Sequence, residues 1–277
     1  MHRLIPIIGI FIGLAAVSGS AAQDVSWQTY RQQFIASDGR VIDHIQQATS
    51  HSEGQGYGLL LAVRQRDREC FDRILQWTEA NLQVRKDALS AWSWGRRRNG
   101  NWAIIDYNNA TDGDLLIALA LLEAHEAWRH DPYRQKALKI ITDIRTRLAW
   151  EHDGYILLAP GYYGFDKGSQ LVVNSGYTVL PAFEKFAGVE DRQFWQRVAK
   201  DSLRLLGKNR FSRWRLPADW LLLKDGEVAV HVNRSPFFGY EAIRVPLYLL
   251  WAGKKNALRV FSDYLIFIDN LGYLPDR

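Results

Sequence analysis

The run Leu115-Leu-Ile-Ala-Leu-Ala-Leu-Leu122 constrains this chain more than any other feature. Eight consecutive apolar residues at helical length leave no face for water, so a helix formed there must be enclosed by other helices. The segment Arg244–Trp251 has the same character, with Val, Leu, Tyr and Trp pointing in every direction. Elsewhere the pattern is one-sided. Cys70, Phe71, Ile74, Leu75, Thr78 and Leu82 recur at spacings of three and four, as do Tyr133, Ala137, Ile140, Ile141, Ile144 and Leu148. Phe194, Trp195, Val198, Leu205 and Leu206 mark a third such stripe. Each predicts a half-exposed amphipathic helix. Enclosed helices alternating with amphipathic ones predict an inner ring wrapped by an outer ring, an all-α toroid of about nine helical segments. Gly154–Leu158 and Glu227–Val232 read as short strands, β hairpins in the loops over one mouth.

The length of 277 residues with 47% apolar and 23% charged residues supports one globular domain with a sizeable core. No Pro/Ser-rich linker or change of composition divides it after Trp27. The start Met1-His2-Arg3, the apolar stretch Leu4–Val17 and the small residues Ser18–Ala22 read as a signal peptide over 1–22, leaving a mature domain over 23–277. The expected location is therefore secreted or periplasmic, with no stable membrane insertion after cleavage. The net charge of +5 is scattered, with no basic run longer than Arg96-Arg97-Arg98, so no nucleic acid partner is expected. Cys70 is the single cysteine, which excludes an intrachain disulfide and any multi-cysteine metal site.

Three polar stretches rich in Gly or amides stand directly before the apolar helices. The first is Ser50–Gly58, where Glu53 lies among Gly54, Gly56 and Gly58, a density of glycine that would let the backbone approach a ligand. The second, Asn108–Asp114, draws Asp112, Asp114, Asn108 and Asn109 into one turn; Thr111 or Asp112 could cap the helix, which accounts for one of them only. The third is Phe238–Pro246, where Glu241 and Arg244 are spaced for an i,i+3 ion pair. Two carboxyl groups facing each other across a cleft are what hydrolysis of a glycosidic bond requires, one protonated and one ionised. Tyr57, Trp92, Trp94, Trp102, Tyr107, Tyr177 and Tyr240 stand near these acids in sequence and offer flat faces to sugar CH surfaces.

These residues resemble glycoside hydrolase family 8, the bacterial endoglucanases, and most of all the secreted members that accompany cellulose synthesis. Ala110-Thr111-Asp112-Gly113-Asp114 with Ile117-Ala118, Ala120-Leu121, Ala124 and Trp128 fits the family signature throughout. Ser52–Gly58 resembles the segment with the general acid, and Tyr240–Pro246 the segment with the general base. Asn174–Tyr177 and Pro217–Trp220 are weaker likenesses. The resemblance implies an (α/α)6 barrel that hydrolyses internal β-1,4-glucosidic bonds with inversion and needs no cofactor and no metal. It implies Glu53 as proton donor, Glu241 as base and Asp112 as the carboxylate that positions sugar and water. Tyr57, Trp94, Asn109, Tyr177, Tyr240 and Arg244 are the expected substrate-binding residues, with β-1,4-glucan as substrate and the cellulose synthase machinery as a functional associate.

The sequence departs from the family pattern in two places. Residue 241 is Glu where the family's cellulases usually carry Asp, which moves the carboxylate by one methylene. Family members also usually continue beyond residue 277, so the last helices of the barrel are expected to be missing and apolar helix faces exposed. Alternatives are a glucan-binding accessory protein that has lost turnover, the same scaffold acting on xylan, chitosan or mixed-linkage β-glucan, and a polysaccharide lyase relying on His44 or His51.

Overall fold

Helices of two characters are paired along this chain. The computed structural model describes residues 20–271, so the expected leader lies outside the described residues except for 20–22, as does the end of the chain from 272. The helices are α1 (Ser20–Phe34), α2 (Ser52–Arg64), α3 (Arg68–Asn81), α4 (Thr111–Trp128), α5 (Asp131–Leu148), α6 (Leu180–Phe186), α7 (Arg192–Lys208), α8 (Arg244–Trp251), α9 (Lys255–Leu258) and α10 (Ser262–Leu271). Helices α2, α4, α6 and α8 touch in series, and α3, α5, α7 and α9 each pack on the inner helix that precedes them. That is the expected inner ring and outer ring. Every residue of α4 from Thr111 to Leu122 is buried. The outer helices bury one stripe each, Cys70, Phe71, Ile74 and Leu75 on α3 and Tyr133, Ala137, Ile140, Ile141 and Ile144 on α5. Their first turns are set locally. Asp67 accepts from the Cys70 amide and Asp191 from the Phe194 amide, satisfying donors that the helix itself leaves unpaired.

Gly56 and Gly58 in α2 and Gly113 in α4 serve packing rather than a ligand, which corrects the sequence expectation for Gly56 and Gly58. A Cβ on Gly56 would stand 2.6 Å from Leu116 Cβ, and one on Gly113 would stand 2.3 Å from Ser52 Oγ and 2.8 Å from the Glu53 nitrogen. The first turns of α2 and α4 therefore meet backbone to backbone. Gly58 makes room for Val41 and Ile74 in the same way.

The loops carry more strand than the sequence suggests. β1 (Ser50–His51), β2 (Ser93–Arg96) and β3 (Trp102–Asp106) form one antiparallel sheet, and β4 (Ala149–His152) with β5 (Tyr155–Leu158) a hairpin. β6 (Gln170–Asn174), β7 (Trp220–Lys224) and β8 (Glu227–Val230) form the third sheet, in which Asn174 pairs with Trp220. The expected strand over 227–232 is thus β8, ending two residues early; its partner β7, and β6 beyond it, were not anticipated.

The second all-apolar helix is only partly enclosed. Helix α8 buries Val245, Tyr248 and Leu249 but leaves Leu250 52% exposed. The apolar stretch 258–268 is divided between the end of α9, a 3-10 turn over Arg259–Phe261 and α10, whose Leu265 and Ile266 are 59% and 60% exposed.

Candidate active site

The polar cluster forms where the N-terminal ends of three inner helices converge. Glu53 is in the first turn of α2, Asp112 in the first turn of α4, and Arg244 opens α8, preceded by Glu241 in the turn that leads into it. The Arg244 guanidinium binds all three acids. Nη1 donates to Asp112 Oδ2 at 2.7 Å and to Glu53 Oε1, while Nη2 donates to Glu241 Oε2. The i,i+3 ion pair expected from sequence is therefore one arm of a four-residue cluster. Its Cζ lies 5.5 Å from the centre of the Tyr177 ring.

Neither capping reading of the α4 start holds. The N-cap position is Ala110, and Thr111 instead donates its hydroxyl to the Ala159 carbonyl at 2.6 Å. Asp112 Oδ1 accepts from the Gly113 amide, which leaves Oδ2 for Arg244. Asp112 forms the floor of the cluster at 1% side-chain exposure, whereas Glu53 at 35% and Glu241 at 30% reach the opening.

Their charge states follow from this placement. Burial pushes the Glu53 carboxyl up to about 8, with Arg244 opposing the rise and the neighbouring charges of Asp112 and Glu241 adding to it. Burial also raises Glu241; Arg244 and Asn174 oppose, and Asp112 and Asp219 reinforce. Arg244 loses hydration on burial, yet Glu53, Asp112 and Glu241 together hold it well above its ordinary value. The result is a fixed cation, a carboxyl that keeps its proton at neutrality, and further acids around it. Such a set can give a proton at one point and take one at another.

The remaining expected residues divide. Tyr57 places its hydroxyl 2.5 Å from that of Tyr248, one helical turn below the Glu53–Arg244 contact, and Tyr177 lies under Arg244. Trp94 is stacked on Trp102 and packed edge-on to Trp77, with the Arg40 guanidinium 5.1 Å over its ring. Asn109 presents nothing to a substrate. It is 2% exposed, its amide nitrogen donates to Asp114 at 3.0 Å and its oxygen accepts from the Tyr162 amide at 2.7 Å. Together with Asn108, which bonds both the amide and the carbonyl of Tyr163, it fastens the 162–163 loop beside the site. Tyr240 is 87% exposed, whereas in the same turn Glu241 reaches Arg244 and Ala242 is buried. His51 is stacked on Trp92 with Asp43 and Asp112 in electrostatic reach, and His44 bonds the Gln33 carbonyl.

Sequence reasoning assigned no role to Tyr248, Asp114 or Asp219. Tyr248 lies four residues after Arg244 on one helix face, a spacing that could have found it. Asp114 is wholly buried, which raises its carboxyl to about 7 despite bonds from Ser90 and Asn109. Asp219 stood only within the weak likeness Pro217–Trp220, which gave no hint of its partners Ser235, Gly239 and Ala242.

Comparison with known proteins gives one answer throughout. The family model described as glycosyl hydrolases family 8 matches residues 5–276. A probable endoglucanase of Novacetimonas hansenii is 37% identical over 248 residues, covering 89% of this chain and 72% of that protein. An endoglucanase of Cellulomonas uda is 34% identical, covering 84% of this chain and 65% of that protein. The solved structure of the endo-β-1,4-glucanase CMCax from Acetobacter xylinum superposes with a TM-score of 0.81 at 36% identity, over 87% of this chain and 76% of that one.

Proposed function

The chain belongs to glycosyl hydrolase family 8, and on that premise we propose that it is an endo-β-1,4-glucanase that inverts the anomeric carbon it attacks. The observation that carries the reading is the convergence of Glu53, Asp112 and Glu241 on the single guanidinium of Arg244. Glu53, protonated at neutrality, gives its proton to the glycosidic oxygen as the bond to the anomeric carbon breaks. Water attacks that carbon from the opposite face and loses its proton to Glu241. Asp112, fixed on the floor with Arg244, positions the sugar and the water. No covalent sugar–protein bond forms, so one water is consumed and one reducing end appears for each bond cut. Glu53 is left ionised and Glu241 protonated, and exchange with solvent through the opening resets both.

The sequence supports an exported enzyme that meets its glucan outside the cytoplasm, in association with cellulose synthesis. Relatives named endoglucanase and a neighbour named endo-β-1,4-glucanase support the substrate class. The test is hydrolysis of cellohexaose followed by proton NMR. The α-anomer is expected first from a β-linked substrate, and Glu53→Gln is expected to lower kcat by about 10²- to 10⁴-fold. A β-anomeric first product, or a Glu53→Gln variant with undiminished release of reducing ends, would overturn the mechanism.

A further inference from the structure

Asp219 lies outside the carboxylate cluster yet is tied to it through the main chain. It immediately precedes β7, its amide donates to the Phe237 carbonyl at 2.8 Å, and its carbonyl accepts from the Ser175 amide at 2.9 Å. The chain at Asp219 thus sits between the 3-10 turn Ser175–Tyr177 and the segment that ends in Glu241. The side chain is 3% exposed and all of its bonds go to that segment. Oδ1 accepts from the amides of Gly239 at 2.9 Å and Ala242 at 2.8 Å, and Oδ2 accepts from the Ser235 hydroxyl at 2.7 Å.

The Ala242 amide is the other half of the peptide group whose oxygen belongs to Glu241. That oxygen is braced from the opposite direction, since a Cβ on Gly176 would stand 2.2 Å from it. Gly239 is equally close to the hub, with space for a Cβ only 2.6 Å from Asp219 Oδ2. The backbone that aims Glu241 is therefore clamped between a glycine and a buried carboxylate. A polar side chain this deep costs free energy unless its bonds are made, and here they are all spent on one catalytic turn.

We propose that Asp219 is a positioning residue for glycosidic hydrolysis, setting through the Ala242 and Gly239 amides the point in the cleft where the Glu241 carboxylate stands. The inference rests on Glu241 being the base, as argued above. A second effect follows from charge. The groups facing Glu241 are Arg244 from α8, Asp112 from α4, Glu53 from α2, Asn174 from β6, Tyr177 from the 3-10 turn, and Asp219. Asp219 is one of the acids that raise the Glu241 carboxyl. A neutral residue at 219 therefore lowers the pH at which Glu241 ionises.

The experiment measures kcat and KM on cellohexaose over roughly pH 4 to 9 for the wild type, Asp219→Ala, Asp219→Asn and Glu241→Gln. Asp219→Ala is expected to lose about a hundredfold in kcat with little change in KM, the size of effect that a misplacement of ~1 Å produces. Asp219→Asn keeps an oxygen for the two amides and an NH2 for the Ser235 hydroxyl. It is expected to recover most of kcat while its acid limb moves to lower pH. Wild-type kcat in Asp219→Ala, or an acid limb that stays in place in Asp219→Asn, overturns the proposal. If the Ala variant does not fold, the limb of the Asn variant alone decides. Glu241→Gln separates the two levels of the argument. If it retains wild-type kcat, the base assignment fails and this proposal with it. If it is inactive while both Asp219 variants match the wild type, the proposal alone fails.

Discussion

Glu53 and Glu241 reach one arginine from two differently built halves of the molecule. Glu53 and Asp112 stand on helices that meet through Gly56 and Gly113 without room for another atom, and α4 is buried on every side. Glu241 stands on a turn whose shape comes from the Asp219 hydrogen bonds and the edge of a small sheet, beside α8 with Leu250 in the open. One half is held by packing and the other by polar bonds. Packing can be read from a pattern in the sequence, whereas a hydrogen-bonded hub depends on which distant residues happen to meet.

The contrast can be broken at the point where the halves join. Arg244→Lys keeps a charge but removes the fork that serves three carboxylates, and kcat on carboxymethylcellulose is expected to fall by about 10²- to 10³-fold. Undiminished turnover would mean that the two halves need no common cation. Stability separates them next. Leu119→Ala in α4 is expected to cost about 2 to 5 kcal/mol in denaturant unfolding, and Leu250→Ala in α8 no more than about 0.5 kcal/mol. Equal costs would show that α8 is as enclosed as α4.

Glycine substitutions sharpen the contrast further. Gly113→Ala forces α2 and α4 apart and is expected to cost about 1 to 3 kcal/mol of stability. Gly176→Ala pushes on the Glu241 carbonyl, so its main effect is expected in kcat at matched folded fraction.

A further test concerns pH. The Glu53 carboxyl is raised on folding, so its contribution to stability is complete below its ordinary value near 4.5 and is lost as pH rises to about 8. Glu53→Gln should therefore gain thermal stability relative to the wild type across that window. A difference in melting temperature that does not change with pH would remove desolvation as the cause.

Much of the packed half was legible in the sequence. Eight apolar residues in a row predicted an enclosed α4, and three-and-four spacing located α3, α5 and α7, because a helix declares its buried face at fixed intervals. The three acids and Arg244 came together as their motifs implied. The misreadings share a physical origin. The glycines near Glu53 were explained by ligand approach when a second helix was approaching, and sequence does not say what stands opposite a missing side chain. Asn109 was expected to bind substrate, but its amide is used up inside. β6 and β7 escaped because neither Leu171, Val172 and Val173 nor Leu221, Leu222 and Leu223 show an alternation to mark them as strand.

The fastening of Tyr162 and Tyr163 by Asn108 and Asn109 has a practical corollary. Those bonds grip main-chain atoms only, so the rings above them are fittings on a fixed bracket. Swapping one ring for another leaves the loop's course and the start of α4 beside it undisturbed, which makes positions 162 and 163 tolerant places to diversify a library.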